Sequence, residues 1–255
     1  MTDPVLVEFR EEGATVITIN RPAARNAFDY RTTVGMAEAL DEMDRRDDQI
    51  VGIITGAGGT FSSGLDLKAF LAGERPTLEG RGFGGMTESP PRKPMIAAVE
   101  GYALGGGCEI VLACDLVVAA ENAKFGIPEV KRGLVAAAGG LLRLPRRIPY
   151  AVAMELALTG DFLDARPAHA YGLVNRLTAP GGALEGALDL ARAIAANGPL
   201  AVRASKQVVA EAATWPPDET WRRMRAITGS VFASDDAKEG PRAFAENRAP
   251  RWTGR

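Results

Sequence analysis

Short apolar runs and helical stripes alternate along the first two-thirds of the chain. Residues 5–9 and 15–19 flank Glu11-Glu12-Gly13 and predict a hairpin. Residues 33–43 carry apolar side chains at helical spacing, with acids and bases on the other face. The run 50–55 (IVGIIT) is continuously apolar and predicts a buried parallel strand, hence β-α-β organisation. Residues 95–99 (MIAAV), entered from Pro94, predict a second buried strand. Glycines then turn the chain tightly, and a helix is expected from about Gly105 to Cys114. Further helices are expected over 138–147, 150–158 and 164–171, with Gly172 as a stop and a short strand over 173–177. Residues 71–94, rich in Gly, Pro and charge, predict a mobile loop or broken helix able to cover a pocket. Beyond Pro180 the pattern is helical throughout, over 183–196, 200–212, 218–232 and 235–247, punctuated by Pro199, Pro216-Pro217 and Pro241. The expected organisation is an α/β core over 1–180 and a helical region over 181–255.

One polar position breaks this pattern. The helix after the glycines is apolar nearly all round, so it should be buried, yet it carries Glu109. An ionised carboxylate there is costly unless it is paired or used. The first turn of the same helix offers free N–H groups and the positive end of the helix dipole. Gly106 and Glu109 are three apart and share a face. The segment thus combines an anion-stabilising N–H with a carboxylate, as a carbonyl that gains negative charge during reaction requires. A structural ion pair is the competing account of Glu109.

Composition narrows the choice. The 255 residues are 46% hydrophobic and 24% charged, with net charge −2, which fits a globular protein with a sizeable core. No basic block points to nucleic acid. No run reaches the length of a membrane span, and the N-terminus (MTDPVLVEFREEG) is acidic, so a cytoplasmic protein is expected. Cys108 and Cys114, six apart in one helix, face different directions and are expected as reduced thiols. His169 is the single histidine, which excludes a His-containing metal cluster, and no metal is expected. Arg21 and Arg25, in the turn 20–28, could meet phosphate or lie solvated. Arg143, Arg146 and Arg147 are expected at the surface or in ion pairs. The stretch 56–68 (GAGGTFSSGLDLK) runs from a strand through a Gly/Ser turn into a short helix, with Asp66 near its start. Such turns present N–H groups to anions, but this one is neither a Walker loop nor a dinucleotide fingerprint.

Taken together, F-S-S-G-L-D-L-K (61–68), G-Y-A-L-G-G-G-C-E (101–109) and F-G-I-P-E-V-K-R-G-L (125–134) resemble the enoyl-CoA hydratase, or crotonase, superfamily. N-R-P-A-A-R-N-A (20–27) and the L-T-G-D and G-L-V-N segments after the core extend the likeness over nearly the whole chain. Within the superfamily, G-L-D-L-K-A, G-F-G-G-M-T-E and the ending 235–255 are most similar to carnitinyl-CoA dehydratases.

The resemblance implies a spiral of ββα units with a C-terminal helical trimerisation region, as a homotrimer or a dimer of trimers. It implies an acyl-CoA thioester substrate and no cofactor, coenzyme A being part of the substrate. The backbone N–H groups of Leu65 and Gly106 map to the oxyanion hole. Residues 65–68 (Leu65, Asp66, Leu67, Lys68) map to the CoA site, with Ser63 near the adenine pocket. Glu109 and Glu129 map to the two hydratase carboxyls, Glu129 as main proton donor and Glu109 as water holder and co-base. Two departures stand out. Ala136-Ala137 replaces a frequent Pro-Gly, and the acid and Trp that carnitinyl-CoA dehydratases can carry at the positions of Ala137 and Leu65 are absent. The expected activity is hydration of a 2-enoyl-CoA. The alternatives are carnitinyl-CoA dehydration, CoA-linked double-bond isomerisation and a non-catalytic CoA-binding role.

Overall fold

The apolar runs become strands of a six-stranded sheet in the computed structural model, which describes residues 2–255. Its order is β1 (Val5–Phe9), β2 (Ala14–Ile19), β3 (Val51–Gly56), β6 (Met95–Val99), β8 (Leu116–Ala120) and β11 (Arg176–Thr178). The expected hairpin makes β1 antiparallel to β2, and the other neighbours run parallel. Strands β3, β6 and β8 are buried on both faces, which is why they read as unbroken apolar runs. Met36, Leu40 and Met43 of α1 (Tyr30–Arg45) belong to the larger core cluster. In the other cluster Ala183, Ala187, Leu188 and Ala191 of α7 (Ala183–Ala195) pack with Val16, Ile53, Ile96 and Val118.

A second set of short pairings runs through the molecule and carries the chemistry-bearing residues. Strand β7 (Tyr102–Leu104) pairs with β9 (Lys124–Gly126), which pairs with β10 (Leu163–Asp164). Single bridges Ser62↔Ala103 and Phe28↔Leu65 extend the arrangement. Each turn of chain therefore gives one strand to the large sheet, then a short strand or bridge, then a helix. The first such turn is β3, residues 62–65 and α2 (Leu67–Leu71); the next is β6, β7 and α3 (Gly106–Ala113). The third is β8, β9 and, after the turn Pro128–Arg132, α4 (Gly140–Arg147). This is the expected crotonase-like spiral of ββα units. The helices α5 (Tyr150–Thr159) and α6 (Ala165–Ala170) follow, and after α7 come α8 (Pro199–Glu211), α9 (Thr220–Phe232) and α10 (Asp236–Ala245).

Several expectations change. Residues 71–94 are not a broken helix: they form a hairpin of β4 (Thr77–Leu78) and β5 (Gly82–Phe83), and residues 82–87 are buried. Phe83 and Met86 act as its anchor in the core. Leu173 and Val174 enter the core before β11 begins at Arg176, so the strand starts later than its apolar residues. Pro241 lies inside α10 and does not interrupt it. Helix α7, on the far side of the 180/181 boundary, covers the sheet, so that part of the helical region belongs to the core.

Asn26 fastens the loops that carry the site. It is fully buried with φ 55°. Its Oδ1 accepts from the Arg21 N–H at 2.9 Å, and its Nδ2 donates to the carbonyls of Ala57 and Thr60, both at 2.8 Å. Asn26→Ala leaves these groups unpaired and places an alanine in the left-handed region. It is expected to cost about 3 kcal/mol, read as a lower urea midpoint with an unchanged slope.

Candidate active site

The site is built where two backbone segments approach too closely for side chains. A Cβ on Gly64 would lie 2.7 Å from the Gly106 nitrogen and 2.6 Å from the Leu104 carbonyl oxygen. One on Gly106 would lie 2.4 Å from the Phe83 ring, so glycine is required at both positions. Gly105, with φ 55° and ψ −130°, makes the bend into α3. The neighbouring segment pairs with Phe28 through the Gly64 carbonyl and the Asp66 N–H, which turns the intervening Leu65 N–H the other way. Among the described residues, neither the Leu65 N–H nor the Gly106 N–H donates a hydrogen bond. Two free donors thus stand beside each other where α3 begins.

The two glutamates flank this turn. Glu109, in the first turn of α3, is 3% exposed, and its Oε1 accepts the Gly140 N–H at 2.8 Å. Gly140 opens α4, so the carboxylate of one helix sits at the N-terminus of the next. Glu129 lies in the turn after β9, with Pro128 presetting its start. A Cβ on Gly105 would come within 3.2 Å of Glu129 Oε1. Glu129 Oε2 is buried with no hydrogen-bond partner among the described residues. Burial raises the proton affinity of both carboxyls. Glu109 is pushed up to about 7, by burial first and then by the Glu129 charge, against the opposing effects of the Gly140 N–H and the Arg143 cation. Near neutrality such a group can both take and give a proton.

The remaining predicted residues divide. Arg25 is exposed, and its carbonyl accepts the Ser63 N–H at 3.0 Å, which brings it beside half-buried Ser63. Leu67 and Lys68 are exposed on α2. Asp66 is committed elsewhere. Its Oδ1 caps α2 through the Lys68 and Ala69 N–H groups, and its Oδ2 pairs with Arg21 at 3.0 Å. The Asp66 side chain therefore shapes the loop and is not free for a ligand. Arg21 is half-buried and also pairs with Asp29 at 3.0 Å. His169 hydrogen-bonds the Val174 carbonyl at 2.8 Å, a local tie. Cys108 and Cys114 are buried free thiols pushed up to about 12 by burial, as expected for reduced thiols in the apolar helix. No group of three or more potential metal ligands forms among the described residues.

Sequence reasoning missed Gly140, the position of Phe83 over Gly106 and the placement of Arg143. Phe83 sits over Gly106 and packs on Phe28 with ring centroids 5.3 Å apart. The Gly139-Gly140 pair before a helix was the available signal for a carboxylate-holding N-terminus. Arg143, expected at the surface or in an ion pair, is half-buried, and its charge interacts with Glu109.

A model of the family described as enoyl-CoA hydratase/isomerase matches residues 10–255. The chain belongs to the enoyl-CoA hydratase/isomerase family. A crystal structure of an enoyl-CoA hydratase from Mycobacterium tuberculosis superposes on this family member with a TM-score of 0.97, at 57% identity and covering 100% of both chains. Enoyl-CoA hydratase EchA19 of Mycobacterium tuberculosis is 45% identical, covering 98% of this chain and 96% of its own. Carnitinyl-CoA dehydratase of Salmonella typhi is also 45% identical, over 94% of each chain. Within the family frame the two glutamates and the glycine turn form one contiguous site, although 65 residues separate Gly64 from Glu129.

The raised proton affinity of Glu109 has a consequence for stability. Its folded value of about 7 exceeds the ordinary 4.5, so the folded state holds the proton more tightly and loses stability as pH rises between them. Glu109→Gln removes this penalty. At pH 8 the variant is expected to be more stable than wild type by about 3 kcal/mol, with the difference vanishing below the ordinary carboxyl range. Urea unfolding of both proteins across that range reads the effect.

Proposed function

We propose that the protein is an enoyl-CoA hydratase, adding water reversibly across the 2,3 double bond of an acyl-CoA thioester. The observation that carries this reading is the pairing of two carboxyls of raised proton affinity with two backbone N–H groups that have no internal acceptor. In the proposed reaction the thioester oxygen accepts from the Leu65 and Gly106 N–H groups. Water bonds to C3 while its proton passes to Glu109. The double-bond electrons move toward C2 and the thioester oxygen, where the two donors stabilise the enolate-like charge. Glu129 delivers a proton to C2, and dehydration uses the same groups in reverse. The bonds balance without a cofactor, because coenzyme A enters as part of the substrate. Arg25, Ser63, Leu67 and Lys68 are proposed to line the CoA path, with Arg25 and Lys68 supplying positive charge for phosphate. Asp66 contributes through the α2 cap.

The likeness to carnitinyl-CoA dehydratases raises crotonobetainyl-CoA as a second substrate. The surroundings favour an uncharged acyl group. Phe83 and Met86 are buried apolar side chains of the covering hairpin, beside the buried hydroxyl of Thr87. Glu74 is exposed and accepts from the Tyr30 N–H, and Glu79 and Glu88 are also exposed. A quaternary ammonium needs ring faces or carboxylates to offset its lost hydration. The test is a panel of 2-enoyl-CoA thioesters followed by loss of enoyl absorbance. Crotonyl-CoA is expected to show the higher kcat/KM, and Glu129→Gln to lower kcat by about 10²–10⁴-fold with little change in thioester binding. A preference for crotonobetainyl-CoA would overturn the substrate assignment. Unchanged turnover in the variant would remove Glu129 from the reaction.

We further infer a homo-oligomer built from trimers, acting in the cytoplasm. No helix among the described residues is long and apolar enough to cross a membrane. Val209, Trp221, Phe232 and Phe244 of the helices after α7 are exposed. An apolar groove of about 390 Å³ runs along α4 and α5, lined by Val130, Val135, Leu144, Tyr150, Met154 and Leu158 among others. Apolar surface of this kind on separate faces supports association of identical chains. Sedimentation at micromolar concentration is expected to give a trimer or a multiple of it, and a stable monomer would refute the assembly.

A further inference from the structure

Arg143 joins three parts of the site that the reaction scheme treats separately. It lies one turn into α4, whose first residue, Gly140, donates its N–H to Glu109. Its Nη1 lies 3.5 Å from the Ala138 carbonyl oxygen, and a Cβ on Gly139 would come within 2.1 Å of that nitrogen. The guanidinium therefore lies over the turn 138–140, which only a glycine at 139 (φ 100°) permits. Its Nη2 donates to the Thr87 carbonyl at 2.5 Å. Thr87 ends the buried stretch that begins at Gly82 and holds Phe83 over Gly106.

The covering hairpin is otherwise bonded largely to itself. Gly84 N–H donates to Pro76 O, Glu88 N–H donates to Arg81 O, and Arg81 Nε donates to Gly85 O. From α1, Thr33 reaches it at Pro76 O and Asp41 accepts from Arg81 at 2.5 Å. Arg143 makes the corresponding tie to α4 at the other end.

We propose that Arg143 is a positioning residue of this site, fastening the cover 83–87 to the turn that holds Glu109 and setting a positive charge against that carboxylate. A guanidinium suits the task because its rigid fork addresses two carbonyls while the charge remains fixed. Around Glu109 the charged and titratable groups are Glu129 from the turn after β9, Arg143 from α4 and the neutral Cys108 on its own helix. Arg146 and Arg147 face Arg143 from the same helix, and Arg132 faces Glu129. Burial and Glu129 favour the protonated form of Glu109, whereas Arg143 favours the ionised form. Losing the cation therefore leaves Glu109 protonated to higher pH. Under the hydratase reading, on which the kinetic part of this proposal rests, the acid limb of kcat/KM then moves to higher pH.

Arg143→Met and Arg143→Lys separate the two roles. Hydrogen exchange of the 77–90 segment reads the fastening. Infrared titration of the protonated Glu109 carboxyl, assigned by its loss in Glu109→Gln, reads the charge, and neither measurement needs turnover. Arg143→Met is expected to speed exchange in 77–90 about tenfold, the equivalent of one lost charge-assisted bond. It is also expected to raise the Glu109 titration by about 1 pH unit, with the acid limb of crotonyl-CoA hydration following. Arg143→Lys keeps the charge and loses the fork, so exchange rises while the titration stays near wild type. If Arg143→Met does not fold, the lysine variant alone decides, and wild-type exchange in it overturns the proposal. An unmoved Glu109 titration in a folded Arg143→Met protein overturns it as well. Both physical shifts appearing in a protein that hydrates no thioester would sink the hydratase reading and leave the positioning role standing.

Discussion

A carboxylate inside an apolar helix has to be held by something, and much of this site follows from how Glu109 is held. Helix α3 is buried at every position from Gly106 to Ala113. The Gly140 N–H supplies a direct partner, and it exists because the chain returns after β9 and opens a new helix against the old one. That return also delivers Glu129 to the same turn. A second buried carboxyl makes ionisation harder for the first, so the arrangement keeps the proton affinity of Glu109 high. The arrangement sacrifices some stability above neutral pH, a common feature of reactive sites.

Backbone proximity is the second constraint. Oxygen-stabilising N–H groups work only if a reacting carbonyl can reach them, and here the close approach is written in missing side chains. Gly64, Gly105 and Gly106 each stand where a Cβ would meet a neighbouring backbone, Glu129 or the Phe83 ring. The buried side chains around them serve that geometry. Ser62 Oγ donates to Asn26 O and accepts from the Gly64 N–H, and Asn26 in turn holds the 57–60 loop. Polar groups buried beneath the site are thus paired with one another and leave the Leu65 and Gly106 donors free.

The same fold serves relatives described as enoyl-CoA hydratases, at 45% and 57% identity, and as a carnitinyl-CoA dehydratase, at 45% identity. A shared fold leaves substrate choice to the residues around the site. Phe83 and Met86 are buried in the cover, and Ala136-Ala137 precedes α4.

Local pattern was enough for the long elements. The apolar runs of β3 and β6, the stripe of α1 and the helices after Pro180 follow from burial and period, which neighbouring residues alone determine. The motif glycines and Glu109 were legible too, because an acid in an apolar helix and a glycine run before it are local anomalies, whereas Glu129, an acid after a proline at a turn, stood out only through the family resemblance. Strands β7, β9 and β10 were not, since each has only two or three residues and exists by pairing with distant chain. Residues 82–87 read as a loop because their burial comes from α1, α3 and α4, not from their own composition. Asp66 read as a ligand contact and Arg21 as either a phosphate contact or a solvated turn residue, and only the tertiary structure could show that Arg21 pairs with both Asp66 and Asp29. Arg143 read as a surface or ion-pair residue, and its half-buried place was hidden because Thr87 and Glu109 lie on distant parts of the chain. Sequence determined which residues were chemically unusual; the spiral's return of distant segments to one turn decided which of them meet.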